Sequence, residues 1–200
     1  YGVADLLPPP VRMIHGHGCP VCVLPIGRID LAIELALERR AILCTYGDCL
    51  RVPASNSLSL LRAKARGADV RMIYSPADAL KIAQANPDRE VVFFAIGFET
   101  TTPPTALVVK DAARQGLGNF TVLCNHVLTP AAITNILESP EVRQFGTLPL
   151  DGFIGPAHVS TIIGSQPYEF FAEEYRKPVV IAGFEPLDVM QAILMLVRQI

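Results

Sequence analysis

Hydrophobic positions come in two textures along this chain. Short, dense runs of β-branched, aromatic and other apolar residues lie at 11–14, 41–45, 70–74, 91–96, 120–124, 152–155 and 178–182. Their length and the turn residues that bound them predict strands. Longer stretches follow at 28–39, 57–66, 77–85, 101–115, 130–138, 159–163 with 168–175, and 187–198. Their helical periodicity predicts helices that set one face on a core. Strand and helix alternate throughout, which implies parallel pairing, because parallel strands need crossover connections. The expected fold class is α/β: two small doubly wound parallel-sheet domains of repeated βα units facing a cleft. One seven-stranded sheet is the alternative.

Punctuation sharpens the outline. Asp78 and Asp188 fall in first turns, where a carboxylate complements the helix dipole. Gly67 and Gly116 stand where helices should stop. Asn86-Pro87-Asp88 is the candidate domain joint, giving a first domain over 1–88 and a second over 89–200. The segment 139–150 reads as a long surface connection. One echo recurs: two predicted strands end in the same turn, Gly97-Phe98-Glu99 and Gly183-Phe184-Glu185.

Composition narrows the class. The 200 residues are 50% hydrophobic, with mean hydropathy +0.36. No apolar run reaches the roughly 18 residues of a membrane span, so the surplus fits parallel strands buried on both faces. Net charge is −2, and no basic tract suits nucleic acid or an anionic membrane. The five cysteines do not space out as a secreted disulfide framework, and no signal peptide is visible, so the expected compartment is cytoplasmic. The chain opens on Tyr1-Gly2-Val3 and closes inside a helical pattern, so a piece of a longer protein is expected.

Chemistry concentrates in the run His15-Gly16-His17-Gly18-Cys19-Pro20-Val21-Cys22. Two thiols at that spacing can hold one metal ion, close a small disulfide or run redox chemistry. A structural zinc site needs four ligands; His15 and His17 are candidates, and no second C-x-x-C exists. Ligands in open α/β sheets bind beyond the carboxyl ends of the strands. Those ends carry Asp48 and Arg51, Ser75, Glu99 with Thr100 and Thr101, Asn125-His126, His158, and Glu185. Each has a plainer reading: Asp48 with Arg51 as an ion pair or cap, Glu99 and Glu185 as helix caps, His158 as a satisfied core histidine. Cys44 and Cys124 read as small buried hydrophobes, and Cys49, in the turn after the second strand, as an inert buried thiol, with approach to the Cys19 turn as the alternative.

The ordered set of motifs resembles the HypD family of hydrogenase maturation proteins. The matching residues are Gly18-Cys19-Pro20-Val21-Cys22, Thr45-Tyr46-Gly47-Asp48 with Arg51-Val52-Pro53, Tyr74-Ser75-Pro76, Phe93 to Thr101, Asn125-His126-Val127, Gly155 to Ser160, and Gly183 to Pro186. The resemblance implies a scaffold on which iron acquires cyanide and carbon monoxide, as the Fe(CN)2CO group of nickel–iron hydrogenases. It implies a HypC-type small chaperone and a HypE-type cyanide donor as partners. It also implies a [4Fe–4S] cluster whose ligands lie outside this chain. Cys19 and Cys22 would then be iron-facing, redox-active thiols. His158, Glu99 and Glu185 would supply proton transfer or hydrogen bonds, and Asp48, Arg51, Thr100 and Thr101 would shape the site. His17 stands where the family usually has proline, Cys49 where methionine is common, and Ala54 and Ala157 where glycine is usual. A positive φ would strain either alanine. The alternative function is a thiol–disulfide oxidoreductase of thioredoxin-like chemistry.

Overall fold

The computed structural model describes residues 2–16, 18–146 and 148–200. It divides into two compact units, Cys19–Val127 and the discontinuous pair Tyr1–Gly18 with Leu128–Ile200. Both are α/β with parallel sheets, as the alternation predicts.

The first unit is built on four parallel strands: β1 (Ile42–Thr45), β2 (Val70–Met72), β3 (Val91–Gly97) and β4 (Phe120–His126), in the order β2-β1-β3-β4. β3 is buried at every position. Its side chains alternate between two cores, as the two-residue period of a strand requires. Val92, Phe94 and Ile96 pack with Ile29, Ala32 and Ile33 of helix α1 (Ile26–Leu37) and with Leu60 and Ala63 of α2 (Leu60–Ala65). Val91, Phe93 and Ala95 pack with Ala79, Leu80 and Ala83 of α3 (Pro76–Ala85) and with Val108 and Ala112 of α4 (Thr102–Arg114). The sheet is therefore covered on both faces.

Local signals set the helix ends. Ser75 and Asp78 form a capping box around Pro76 at the start of α3, and the Ser59 hydroxyl accepts from the Arg62 amide at 3.2 Å to start α2. Gly67 at φ +99° and Gly116 at φ +68° follow the ends of α2 and α4, left-handed positions that glycine adopts without a Cβ penalty.

The second unit holds the parallel pair β5 (Phe153–Pro156) and β6 (Val179–Ala182). Ile133 and Leu137 of α5 (Thr129–Leu137) pack with Tyr168 and Phe171 of α8 (Gln166–Tyr175). Val180 and Ala182 pack with Ala192 of α9 (Pro186–Val197). Helices α6 (Pro140–Phe145) and α7 (Ala157–Ile163) and a 3-10 turn at Val3–Leu6 are its other elements among the described residues.

Three expectations are corrected. The run 11–14 forms no strand; Met13 and Ile14 are exposed, because no neighbouring strand pairs with it. The segment 139–150 contains α6, started by the Ser139 hydroxyl, which accepts from the Val142 amide at 3.4 Å. Asn86-Pro87-Asp88 is no joint between the units but the α3–β3 connection inside the first sheet. Asn119 Nδ2 lies within 3.0 Å of the Ala83 and Arg89 carbonyls and 2.9 Å of the Asn86 carbonyl, fastening that connection to the strand-leading turn of β4. Ala54 sits at φ −114° and Ala157 is not among the positive-φ residues, so neither alanine is strained.

At the amino edge of this sheet, Asp69 accepts from Arg71 Nε at 2.9 Å and from Arg89 Nη1 at 2.7 Å. Hydrogen bonding from Arg71 leads in holding its carboxyl at about 2, below the usual 3.8. The charged carboxylate thus stabilises the fold above about pH 4, and this support is lost as pH falls through 2. Asp69→Asn should lower unfolding free energy at pH 7 by about 1–2 kcal/mol, after allowing for solvent screening. Urea titrations between pH 2 and 7 should show the variant's stability falling less steeply below pH 4 than that of the parent.

Candidate functional site

The strand order places the site. From β1 the chain crosses to β2 on one side, and from β3 to β4 on the other. The carboxyl ends of β1 and β3 therefore flank the point where connections diverge, the place where open α/β sheets leave a crevice. Beyond β1 lies the 3-10 turn Gly47–Arg51, which carries Asp48, Cys49 and Arg51. Beyond β3 lies the 3-10 turn Glu99–Thr101. The Cys19–Cys22 turn leads into α1, whose carboxyl end connects to the start of β1, so the turn lies toward the same edge.

Cys19 and Cys22 are free thiols. The Cys22 thiol donates to Cys19 Sγ at 2.6 Å, and the Cys22 amide donates to the same sulfur at 3.3 Å. Donation from Cys22 is the largest cause lowering the Cys19 pKa, and Asp48 opposes it by charge repulsion. The donating Cys22 thiol is pushed up in turn. The contact thus favours the thiolate form at Cys19 over Cys22. Val21 between them packs on the core that contains Cys49. Burial, with Asp48 second, pushes the Cys49 thiol up to about 12, and Cys19 adds to the shift. Cys49 therefore stands near the pair as a protonated core group. Cys44 behaves likewise, raised to about 12 by burial.

Glu99 is the charged side chain among the buried described residues, at 4% exposure. Its backbone follows Gly97, where an added Cβ would lie 1.9 Å from Thr101 Oγ1. Thr101 donates to the Phe98 carbonyl at 2.9 Å, so its side chain folds back over the glycine. Thr100 is half-buried, while Asp48 and Arg51 are exposed and form no ion pair with each other. Two further buried polar groups end the strands on either side of β3: Thr45 on β1, whose side chain meets the Cys49 thiol, and Asn125 on β4, whose Oδ1 has no hydrogen-bond partner among the described residues. His126 is shifted down by burial, with its Nδ1 3.3 Å from the exposed Cys124 Sγ. The thiol of Cys124 is thus not core, contrary to expectation.

In the second unit, Pro156 pairs with Ala182, which brings the β5 and β6 ends side by side. His158 opens α7 and its ring stacks on Phe184 at 5.2 Å between centroids. Glu185 is exposed. Phe184 was not singled out from sequence; the repeated Gly-Phe-Glu turn was the available signal. Of the predicted residues, Cys19, Cys22 and Asp48 interact with one another, while Arg51, Glu99, Thr100 and Thr101 lie on the turns after β1 and β3 at the same sheet edge, and His158 and Glu185 lie in the second unit. His15 is exposed, and His17 lies outside the described residues. Among the described residues no group of three or more His, Cys, Asp or Glu side chains is placed to hold a metal ion.

An α/β protein with a polarised dithiol at the carboxyl edge of a parallel sheet is what these elements define. The sequence of residues 1–200 matches the model of the HypD family, the hydrogenase formation hypA family. It is 74% identical over 200 residues to the hydrogenase maturation factor HypD of Cupriavidus necator and covers 53% of that protein. It is 74% identical to that of Rhizobium leguminosarum bv. viciae, covering 52%, and 50% identical over 199 residues to that of Escherichia coli K12, again covering 52%. The chain belongs to the HypD family. It spans about half the length of the curated relatives it matches.

Because Cys22 is the leading stabiliser of the Cys19 thiolate, Cys22→Ala should move the pH profile of Cys19 alkylation to higher pH. Peptide-resolved mass spectrometry with iodoacetamide reads this, with Cys44 and Cys49 unlabelled in the folded protein. An unmoved profile would show that the Cys22 thiol does not polarise its partner. Gly97→Ala should cost at least about 2 kcal/mol, since the Thr101 side chain must be displaced; chemical denaturation measures the loss.

Proposed function

We propose that this chain forms part of a HypD-type scaffold for assembling the Fe(CN)2CO group of nickel–iron hydrogenases. The polarised Cys19–Cys22 pair carries the reading, within a chain that belongs to this family over its full length. Iron is here the cargo. Ferrous iron bearing cyanide and carbon monoxide favours soft, electron-rich donors, and thiolate is the softest the chain offers. Cys19 and Cys22 would supply two such sulfurs. The same pair would also serve as a dithiol–disulfide couple, passing two electrons and two protons to a partner disulfide, which becomes a dithiol as Cys19 and Cys22 close.

The remaining residues take supporting roles in this reading. The buried Glu99 carboxyl, on the turn after β3, would hold or move a proton near the crevice. Asp48 tempers the Cys19 thiolate by its charge. Arg51, exposed and without an ion-pair partner among the described residues, is free to meet an anionic ligand or a partner's carboxylate. Thr101 fixes the turn that presents Glu99 and Thr100. His158 and Glu185 would offer hydrogen bonds to the cargo. A HypC-type chaperone and a HypE-type cyanide donor would be the partners, in the cytoplasm. A [4Fe–4S] cluster takes four cysteine thiolates. Cys44 and Cys49 are buried thiols held near 12, so the residues present do not fit a cluster, and no step is assigned to one.

A thiol–disulfide oxidoreductase is the second reading, favoured by the lowered Cys19 pKa alone. Cys19→Ala and Cys22→Ala in the full-length protein, isolated with its small partner, separate the two. Under the scaffold reading each variant should lose the infrared bands of iron-bound cyanide and carbon monoxide, and hydrogenase maturation should fall at least tenfold. Retention of both, with generic disulfide turnover abolished, would establish the oxidoreductase instead.

A further inference from the structure

We propose that the outward apolar row of α9 is a docking surface for the part of the full-length polypeptide that lies outside residues 1–200. The inward side of α9 is accounted for. Ala192 and Leu196 pack with Ile154 of β5 and Val180 of β6, and Ile193 is buried beside them. A second row, Leu187, Met190, Leu194 and Val197, falls at the i, i+3, i+7, i+10 spacing of one helix face. Leu187 is 82% exposed, Leu194 45% and Val197 48%, and Met190 is half-buried. At about 100° per residue, the two rows together make about 220° of the helix circumference apolar. Asp188, Gln191 and Arg198 fall on the remainder. A surface helix needs an apolar stripe of only about 100°. A helix apolar over twice that arc suits burial on two sides, and the described residues cover one.

Length and architecture name the occupant. Residues 1–200 cover 53% and 52% of two relatives that are 74% identical to them, so those proteins carry nearly as much chain again. The second unit is also short of sheet. It has two described strands against four in the first unit, whereas sheets commonly hold about four to six. Further chain from the same polypeptide supplies what that unit lacks. Being tethered, it meets the α9 row at a high effective concentration, which a second copy or a separate partner in dilute solution does not reach.

Photo-crosslinking in the full-length protein tests this, with p-benzoylphenylalanine in place of Leu194. Peptide mass spectrometry should place the adduct in the same chain, outside residues 1–200. An adduct to a second copy, to another protein or within residues 1–200 overturns the proposal, as does the absence of any adduct. A second variant reads the same contact without a probe. Leu194→Glu puts a charge where the docked segment would lie, and should lower the Tm of the full-length protein by about 3 °C or more. The shift should be the same at every protein concentration, as a contact within one chain requires. An unmoved Tm, or a shift that vanishes on dilution, overturns the proposal.

Discussion

The first unit depends on β3. Its seven residues are all buried and pair in parallel with β1 on one side and β4 on the other. A one-residue slip would exchange Phe94 and Ile96, which face α1 and α2, with Phe93 and Ala95, which face α3 and α4. Both cores would then be mispacked at once. Correct register brings the ends of β1, β3 and β4 to one edge, where Thr45, Glu99 and Asn125 are the buried polar side chains. The chemistry of that edge is thus a product of strand pairing, and the thiol turn joins it because α1 must run back along the sheet to reach β1.

The two Gly-Phe-Glu turns show how the same tripeptide serves opposite ends. In each, the glycine is required by a first-turn side chain that folds back over it, Thr101 in one and Asp188 in the other. Glu99 is buried beside the central strand, whereas Glu185 is exposed. Phe98 is half-buried, whereas Phe184 stands in solvent against an imidazole. The difference comes from the sheets: β3 has a neighbour on each side, while β6 pairs only with β5 among the described strands.

Much of this was legible beforehand, for identifiable reasons. Dense apolar runs marked the six described strands, most plainly β1 and β3, which are buried at every position. Ser75-Pro76 with Asp78 and the glycines at 67 and 116 marked helix ends, because caps are local chemistry. The run 11–14 misled because apolar content alone does not supply a pairing partner. Ser139-Pro140 is a helix-start signal that the surrounding polar residues masked. Asn86-Pro87-Asp88 is a genuine turn; that it stays within one sheet depends on Asn119, thirty-odd positions away, which local pattern cannot reveal. The residue set at the carboxyl edge followed from the placement of strand ends, but the burial of Glu99, the donation from Cys22 to Cys19 and the stack on His158 are three-dimensional facts without a linear signature.

The second unit is discontinuous in sequence, and the first is continuous, from Cys19 to Val127. During synthesis the thiol-bearing unit therefore emerges as one uninterrupted stretch, with every strand of its sheet available before β5 is made. The flanking unit must hold its early segment in waiting until residues beyond 128 arrive. Order of folding is thus written into the chain's layout: the sheet that carries Cys19 and Cys22 can close around its own core before the strands of the second unit are made.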